Sequence, residues 1–397
     1  MPYDVASVRG LFPTLGDGSI HFDAQAGMQI PDAVATAMNA GVRTLPVDPR
    51  GVSPQAEAAA DALGTARRAV ADLLDAAPAG VVLGPSRSAL VAALAEALPS
   101  TSWAGEVVCS RLDDEENIVP WLRGARHHGA QVRWAEIDVT DGSLPAWQYS
   151  DLVNEDTRVV AVTLASSVTG VVVDVAQIAR QTQAVGAMLV VDASSVAPYV
   201  RMSITELGAD VVLLSPERWG GPRMAAMVFA DPDLIDGLAR VSMDPDTDGP
   251  ARLEAEPLAG PMLTGLTASI EHLANTAAEA SGKRRQRLTT SMDGAYEYLQ
   301  RLTRYLVSSL SQLGRVHVIG EDVHRIPAVS FVVDGVPAEQ VCRRLADNGI
   351  SALHDVPSRA LARMGVADVG GAVTVGLGPY ARPYEIDQLV RVLGSFG

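Results

Sequence analysis

The chain has 397 residues, 48% hydrophobic and 20% charged, which suits two or three domains with a large core and excludes a disordered polymer. A formal charge of −16 argues against nucleic acid or an anionic membrane as partner, and two distant cysteines, Cys109 and Cys342, exclude a disulfide framework or a CxxC zinc site. The opening MPYDVASVRG lacks a charged-then-apolar leader pattern, and the longest apolar run, Val159 to Val173, is broken by Thr163, Ser166, Ser167, Thr169 and Gly170, so a cytoplasmic protein is expected.

Elements then follow in chain order. Gly80 to Gly84 reads as a short buried strand, and Ser88 to Leu98 as a helix. Glu106 to Cys109 is a strand, Glu115 to His128 a helix with acids first and histidines last, and Gln131 to Ile137 a strand. Val159–Leu164 and Met188–Val191 are valine-rich, as strands covered on both faces are, with a helical pattern over Val175–Val185 between them. Val211–Leu214 and Ala225–Phe229 add strands. This alternation predicts an α/β fold with a mainly parallel sheet.

The pattern changes beyond Pro232. Residues 242–261 are loop-like. A helical stretch from Thr264 to Leu313 is interrupted near Gly282. Strands at Ala328–Val333 and Ala372–Val375 alternate with helices at Pro337–Asn348 and Pro383–Leu393. The expected division is a large domain over 25–255, a loop over 256–264, and a small α+β domain built from 1–24 and 265–397.

Parallel sheets bind ligands beyond the carboxyl ends of their strands. Four such ends are polar here. Ser86, Arg87 and Ser88 start a helix and could hold a phosphate or simply cap it. Asp192 ends a strand and either binds a ligand or caps a turn. The third end is the loop 165–170, and the fourth runs from Ser215 to Pro222.

In this order the segments resemble the class V family of pyridoxal-phosphate enzymes, in its cysteine-desulfurase-like branch. The family motifs are matched by His21 to Gly27, by Asp113 to Trp121 (Asp-Asp-Glu-Glu-Asn-Ile-Val-Pro-Trp), by Val190 to Ala193, by Ser215 to Pro222 and by Gly371 to Tyr380. The resemblance implies a fold type I transferase with a seven-stranded sheet, a homodimer, and pyridoxal phosphate as cofactor. The cofactor-binding positions it implies are Ser86, Arg87, Ser88, Asp114, Ser167, Asp192, Ser195 and Ser215, with Thr374 at the substrate-carboxylate position.

The chain departs from that pattern at chemically decisive places. The Schiff-base lysine position falls on Arg218, and a guanidinium stays protonated, so a covalent aldimine is not expected. The stacking histidine falls on Asp114, the cofactor-facing asparagine on Ser167, the residue after the strand aspartate on Ser195, and the substrate arginine on Thr374. The threonine given to the partner's phosphate falls on Pro261, and 352–357 lacks the desulfurase cysteine. The single lysine, Lys283, lies in a charged helical stretch.

The expectation is therefore a pseudoenzyme acting through binding or regulation, its pocket empty or holding a small anion or molecule. The alternative is an active class V aminotransferase, lyase or desulfurase. Arg218 is expected to reach toward Asp192, against an outward pairing with Glu217. Cys109, Cys342 and the tryptophans read as core, and no metal site is expected.

Overall fold

The computed structural model describes residues 3–45, 51–320 and 322–396. The domain bounds expected at residues 1 and 397 lie outside the described residues.

The strands in chain order are β1 (Ile20–His21), β2 (Val81–Gly84), β3 (Glu106–Ser110), β4 (Gln131–Ala135), β5 (Thr157–Thr163), β6 (Met188–Asp192), β7 (Val211–Leu214), β8 (Ala225–Phe229), β9 (Val316–Val318), β10 (Ala328–Val333), β11 (Ile350–Ser351), β12 (Leu353–His354) and β13 (Val373–Gly376). Seven of them form one sheet in the order β2-β8-β7-β6-β5-β3-β4. Only β8 runs against its neighbours β2 and β7; the rest of the sheet is parallel.

The valine runs explain why this sheet is central. Along β5 and β6, Val160, Val162, Leu189 and Val191 face one helical layer, while Val159, Ala161 and Val190 face the other, and all are buried. Such two-sided burial stabilises by roughly 1.5–3 kcal/mol per Val or Leu side chain and leaves no solvent face for a polar alternation. The flanking helices are bounded by local chemistry. Ser86 and Asp174 cap Arg87–Ala97 and Val175–Val185 by accepting backbone N–H groups, and Gly129 and Gly186 end helices in the left-handed region.

A second sheet, β12-β13-β10-β9, is antiparallel throughout. β1 pairs with β11, which ties the N-terminal segment to the C-terminal part of the chain. The long helical stretch expected from Thr264 is two helices, Gly260–Ala274 and Arg284–Ser311. Two further helices, Asp32–Thr44 and Pro54–Leu74, have no counterpart in the sequence reading; the second is rich in alanine and weakly patterned. No helix among the described residues is long and apolar enough to cross a membrane.

The parallel strands share one direction, so the residues after β3, β5, β6 and β7 emerge along one edge. That edge carries Asp113 and Asp114, the loop 164–170, Asp192, and the turn Pro216–Trp219 with Arg218. The loop is held to the second sheet by Ser330 Oγ, which donates to the Val168 carbonyl (2.8 Å), and Gly170 accepts from Ile326 just before β10 (2.9 Å). Gly170 has φ +76°, and a Cβ there would meet the Ala328 carbonyl oxygen at 2.3 Å, so only glycine fits.

Candidate functional site

A cleft of about 530 Å³ opens at this edge. The large sheet's loops supply Arg87, Asp114, Glu116, Ser167, Glu217 and Arg218 to its wall, Gln25 joins from the N-terminal segment, and the opposite side is made by His354, Asp355, Val356 and Thr374. A cavity of similar size, about 590 Å³, is lined by Leu45, Leu63, Met243, Leu258 and others, and takes in none of the strand-end residues.

Arg87 sits at the centre of the charge network. It is the first residue of its helix, follows the Ser86 cap, and is 4% exposed. Its Nη1 donates to Asp192 Oδ2 and, at 3.3 Å, to Asp114 Oδ2. Its Nη2 lies 3.3 Å from Asp114 Oδ2 and 2.5 Å from Glu116 Oε2. Burial alone would lower the guanidinium's pKa, but Asp192, Asp114 and Glu116 outweigh it and hold Arg87 firmly charged. Asp192, 2% exposed, also accepts from the Ser194 backbone N–H at 3.0 Å.

Arg218 turns inward, with its side chain 12% exposed, so the outward pairing with Glu217 does not occur. The expected approach to Asp192 does not occur either. Arg218 Nη1 donates to the Gln25 carbonyl and, at 3.3 Å, to Gln25 Oε1, while Nη2 lies 3.6 Å from Asp114 Oδ2. The reason is that Arg87 already covers Asp192, and the Gln25 carbonyl gives Arg218 an uncontested acceptor.

Asp114 bridges the two guanidiniums and accepts from Ser167 Oγ at 2.6 Å. Burial pushes its carboxyl up, but Arg87, Arg218 and Ser167 more than offset this and hold it below the usual carboxylate range. The preceding Asp113 has the opposite fate. It is 3% exposed, accepts from Ser110 and from Asn117 Nδ2 (2.6 Å), and burial pushes its carboxyl up to about 7.

Of the residues expected to bind a cofactor, Arg87, Asp114 and Ser167 line the cleft together, with Asp192 directly beneath Arg87; Thr374, expected at the substrate position, lines it as well. Ser86 is engaged as a helix cap, accepting from Ala89 N at 3.2 Å, and its hydroxyl meets Ser88 Oγ at 3.2 Å. Ser195 and Ser215 are buried outside the lining. Thr374 is fully buried and hydrogen-bonds Ser330 Oγ at 2.7 Å. Pro261 lies in the first turn of the helix Gly260–Ala274. Lys283 is the exposed cap residue of the helix Arg284–Ser311, outside the cleft lining. Cys109 and Cys342 are buried free thiols, and burial pushes Cys342 up to about 12.

Sequence reasoning missed Gln25, Glu217, Arg223, His354 and Asp355 as cleft residues. Gln25, Glu217 and Arg223 stand in or beside quoted motifs. The conformation of Asp355, with φ +49°, is invisible in sequence. His354 Nδ1 is 3.1 Å from its carboxylate.

The family description aminotransferase class-V matches residues 20–389. An uncharacterized protein of Mycobacterium tuberculosis is 50% identical over all of both chains. A probable cysteine desulfurase of Streptomyces coelicolor is 27% identical, covering 98% of this chain and 96% of that one. Among solved structures, the apo cysteine desulfurase of Thermococcus onnurineus NA1 superposes with a TM-score of 0.84 at 21% identity, covering 98% of this chain and 97% of that one. The cysteine desulfurase CsdA of Escherichia coli gives a TM-score of 0.81 at 20% identity with the same coverage. With the family match running from residue 20 to 389 and solved relatives sharing the fold over nearly the whole length, the chain belongs to the class-V aminotransferase family.

Proposed function

We propose that this chain is a class-V fold that has given up pyridoxal-phosphate chemistry and works by binding. The observation that carries this reading is Arg218. By the family resemblance it falls at the lysine position, and its guanidinium is bound to Gln25 and Asp114. A guanidinium does not lose its proton in a protein and cannot become the amine nucleophile that Schiff-base chemistry requires. The chain's one lysine is exposed and outside the cleft lining.

The rest of the cleft supports the same reading, because it fits pyridoxal phosphate poorly. Asp114 offers a carboxylate where an aromatic face would stack. Asp192, the acid that the resemblance sets against a ring nitrogen, already accepts from Arg87. Five acids (Asp114, Glu115, Glu116, Glu217 and Asp355) line the cleft against three guanidiniums (Arg87, Arg218 and Arg223), so a phosphate meets net repulsion. The same excess, and the engagement of Arg218, weigh against the small anion expected there from the sequence. Burial raises the Glu217 carboxyl, which tempers its own share of that repulsion, and its Oε2 has no hydrogen-bond partner.

The deciding experiment is to add pyridoxal phosphate to the purified chain, treat it with borohydride, and record the absorption spectrum and intact mass. The reading expects no new visible band and no cofactor-sized mass increase. A reducible adduct on any residue overturns it and restores the active class-V alternative. We also propose a twofold homodimer, by analogy with the family the sequence resembles.

A further inference from the structure

The carboxylates around Arg87 come from separate places: the end of β6, the residue before the helix Glu115–His128, and that helix's first turn. All four Nη hydrogens have a carboxylate within reach, while Nε is buried without a partner. Arg87 and Asp192 are almost fully buried, yet they are 105 residues apart and belong to different elements. The acids outnumber the one guanidinium between them; Asp114 alone is shared with a second, Arg218. A pocket floor built this way binds a flat cation through three carboxylate oxygens and a charge excess.

We infer that Asp192, Asp114 and Glu116 form a seat for a planar organic cation, and that the chain fills this seat with its own Arg87. The side chain acts as a tethered ligand. It neutralises the buried Asp192, closes the floor of the cleft to ring cations, and confines any outside ligand to the space bounded by Glu217, Arg218, His354 and Asp355. Removing the side chain past Cβ leaves a buried carboxylate uncompensated and opens a vacancy of guanidinium shape. A free guanidinium ion then has the charge, the planarity and the hydrogen-bond donors to fill it. This inference deepens the binding role proposed above and rests on it.

The test is chemical rescue. The thermal midpoint of Arg87→Ala is measured in the full-length chain with millimolar guanidinium chloride, with N-methylpyridinium chloride, and with sodium chloride at matched ionic strength. The natural chain and the double variant Arg87→Ala/Asp192→Asn serve as references. The expected result is a midpoint several degrees below the natural chain, more than half recovered by guanidinium and not by sodium. The natural chain and the double variant should not respond. Equal response in the double variant, or no response in Arg87→Ala, overturns the inference. Should Arg87→Ala fail to fold alone, its soluble yield on refolding from urea with the same salts is the readout: recovery with guanidinium supports the seat, and no recovery rejects it. N-methylpyridinium reports whether the vacancy also accepts a ring; rescue by it strengthens the exclusion of ring cations by Arg87, and rescue of the natural chain by it overturns that exclusion. Failed rescue leaves the borohydride result untouched, so the two readings fall separately.

Discussion

The Nη2 of Arg218 lies 3.6 Å from Oδ2 of Asp114, the same oxygen that Arg87 approaches at 3.3 Å. One carboxylate therefore holds two guanidiniums and a hydroxyl, that of Ser167. Asp114→Ala removes the shared acceptor and leaves two like charges facing each other. Unfolding in denaturant should show a loss of about 1–3 kcal/mol, the cost of leaving buried donors unmatched. A side chain still a quarter exposed keeps the figure at the lower part of that range. An unchanged midpoint would mean that Asp114 does not organise the cleft.

Arg218→Lys supplies the amine that the family resemblance puts at this position, but not the rest of the site. The shorter ammonium would stand near Asp114, and an adjacent carboxylate favours the protonated amine, which is no nucleophile. Asp192 stays covered by Arg87. Spectra of this variant with added pyridoxal phosphate should lack a borohydride-reducible visible band. A stable band would show that the lysine alone was missing.

Asp113 sets a pH dependence. Burial lifts its carboxyl from the model-peptide value of 3.8 to about 7, against the pull of Ser110 and Asn117. Because the folded value is the higher one, the folded chain binds the proton more tightly. This contribution is fully present below 3.8 and is lost as the pH rises through about 7. Asp113→Asn keeps an acceptor for Asn117 and cannot ionise. Between those two values its stability should decline less steeply with pH than that of the natural chain. Parallel curves, measured by denaturant unfolding across the range, would contradict the assignment.

For the proposed homodimer, sedimentation equilibrium at micromolar concentration should return twice the chain mass. A single monomeric species there would remove the proposal.

Much of this architecture could be read from residue order alone. The valine runs at Val159–Leu164 and Met188–Val191 allow no polar face, so a sheet buried on both sides follows from hydrophobicity and spacing. The helix Val175–Val185 matches its expected bounds, because Asp174 caps it and Gly186 ends it, and both signals are local. The presence of an arginine at position 218 and the lack of any lysine nearby are likewise facts of sequence, and they carry the chemistry that a guanidinium forbids.

Which acid pairs with which arginine was decided only by tertiary structure. Sequence placed Arg87 in a turn that could hold a phosphate or simply cap a helix, and aimed Arg218 at Asp192. In the folded chain Arg87 reaches Asp192, and Arg218 is taken by Gln25 and Asp114. Charge pairing depends on distances of a few ångströms between side chains a hundred residues apart, and the order of residues holds no such distances. Asp113 and Asp114 make the same point. They are neighbours in the chain, yet one lies between two guanidiniums and is pushed down, while the other is pushed up by burial and by the nearby Asp192. The burial that separates them exists only after the strand ends have been brought to one edge of the sheet.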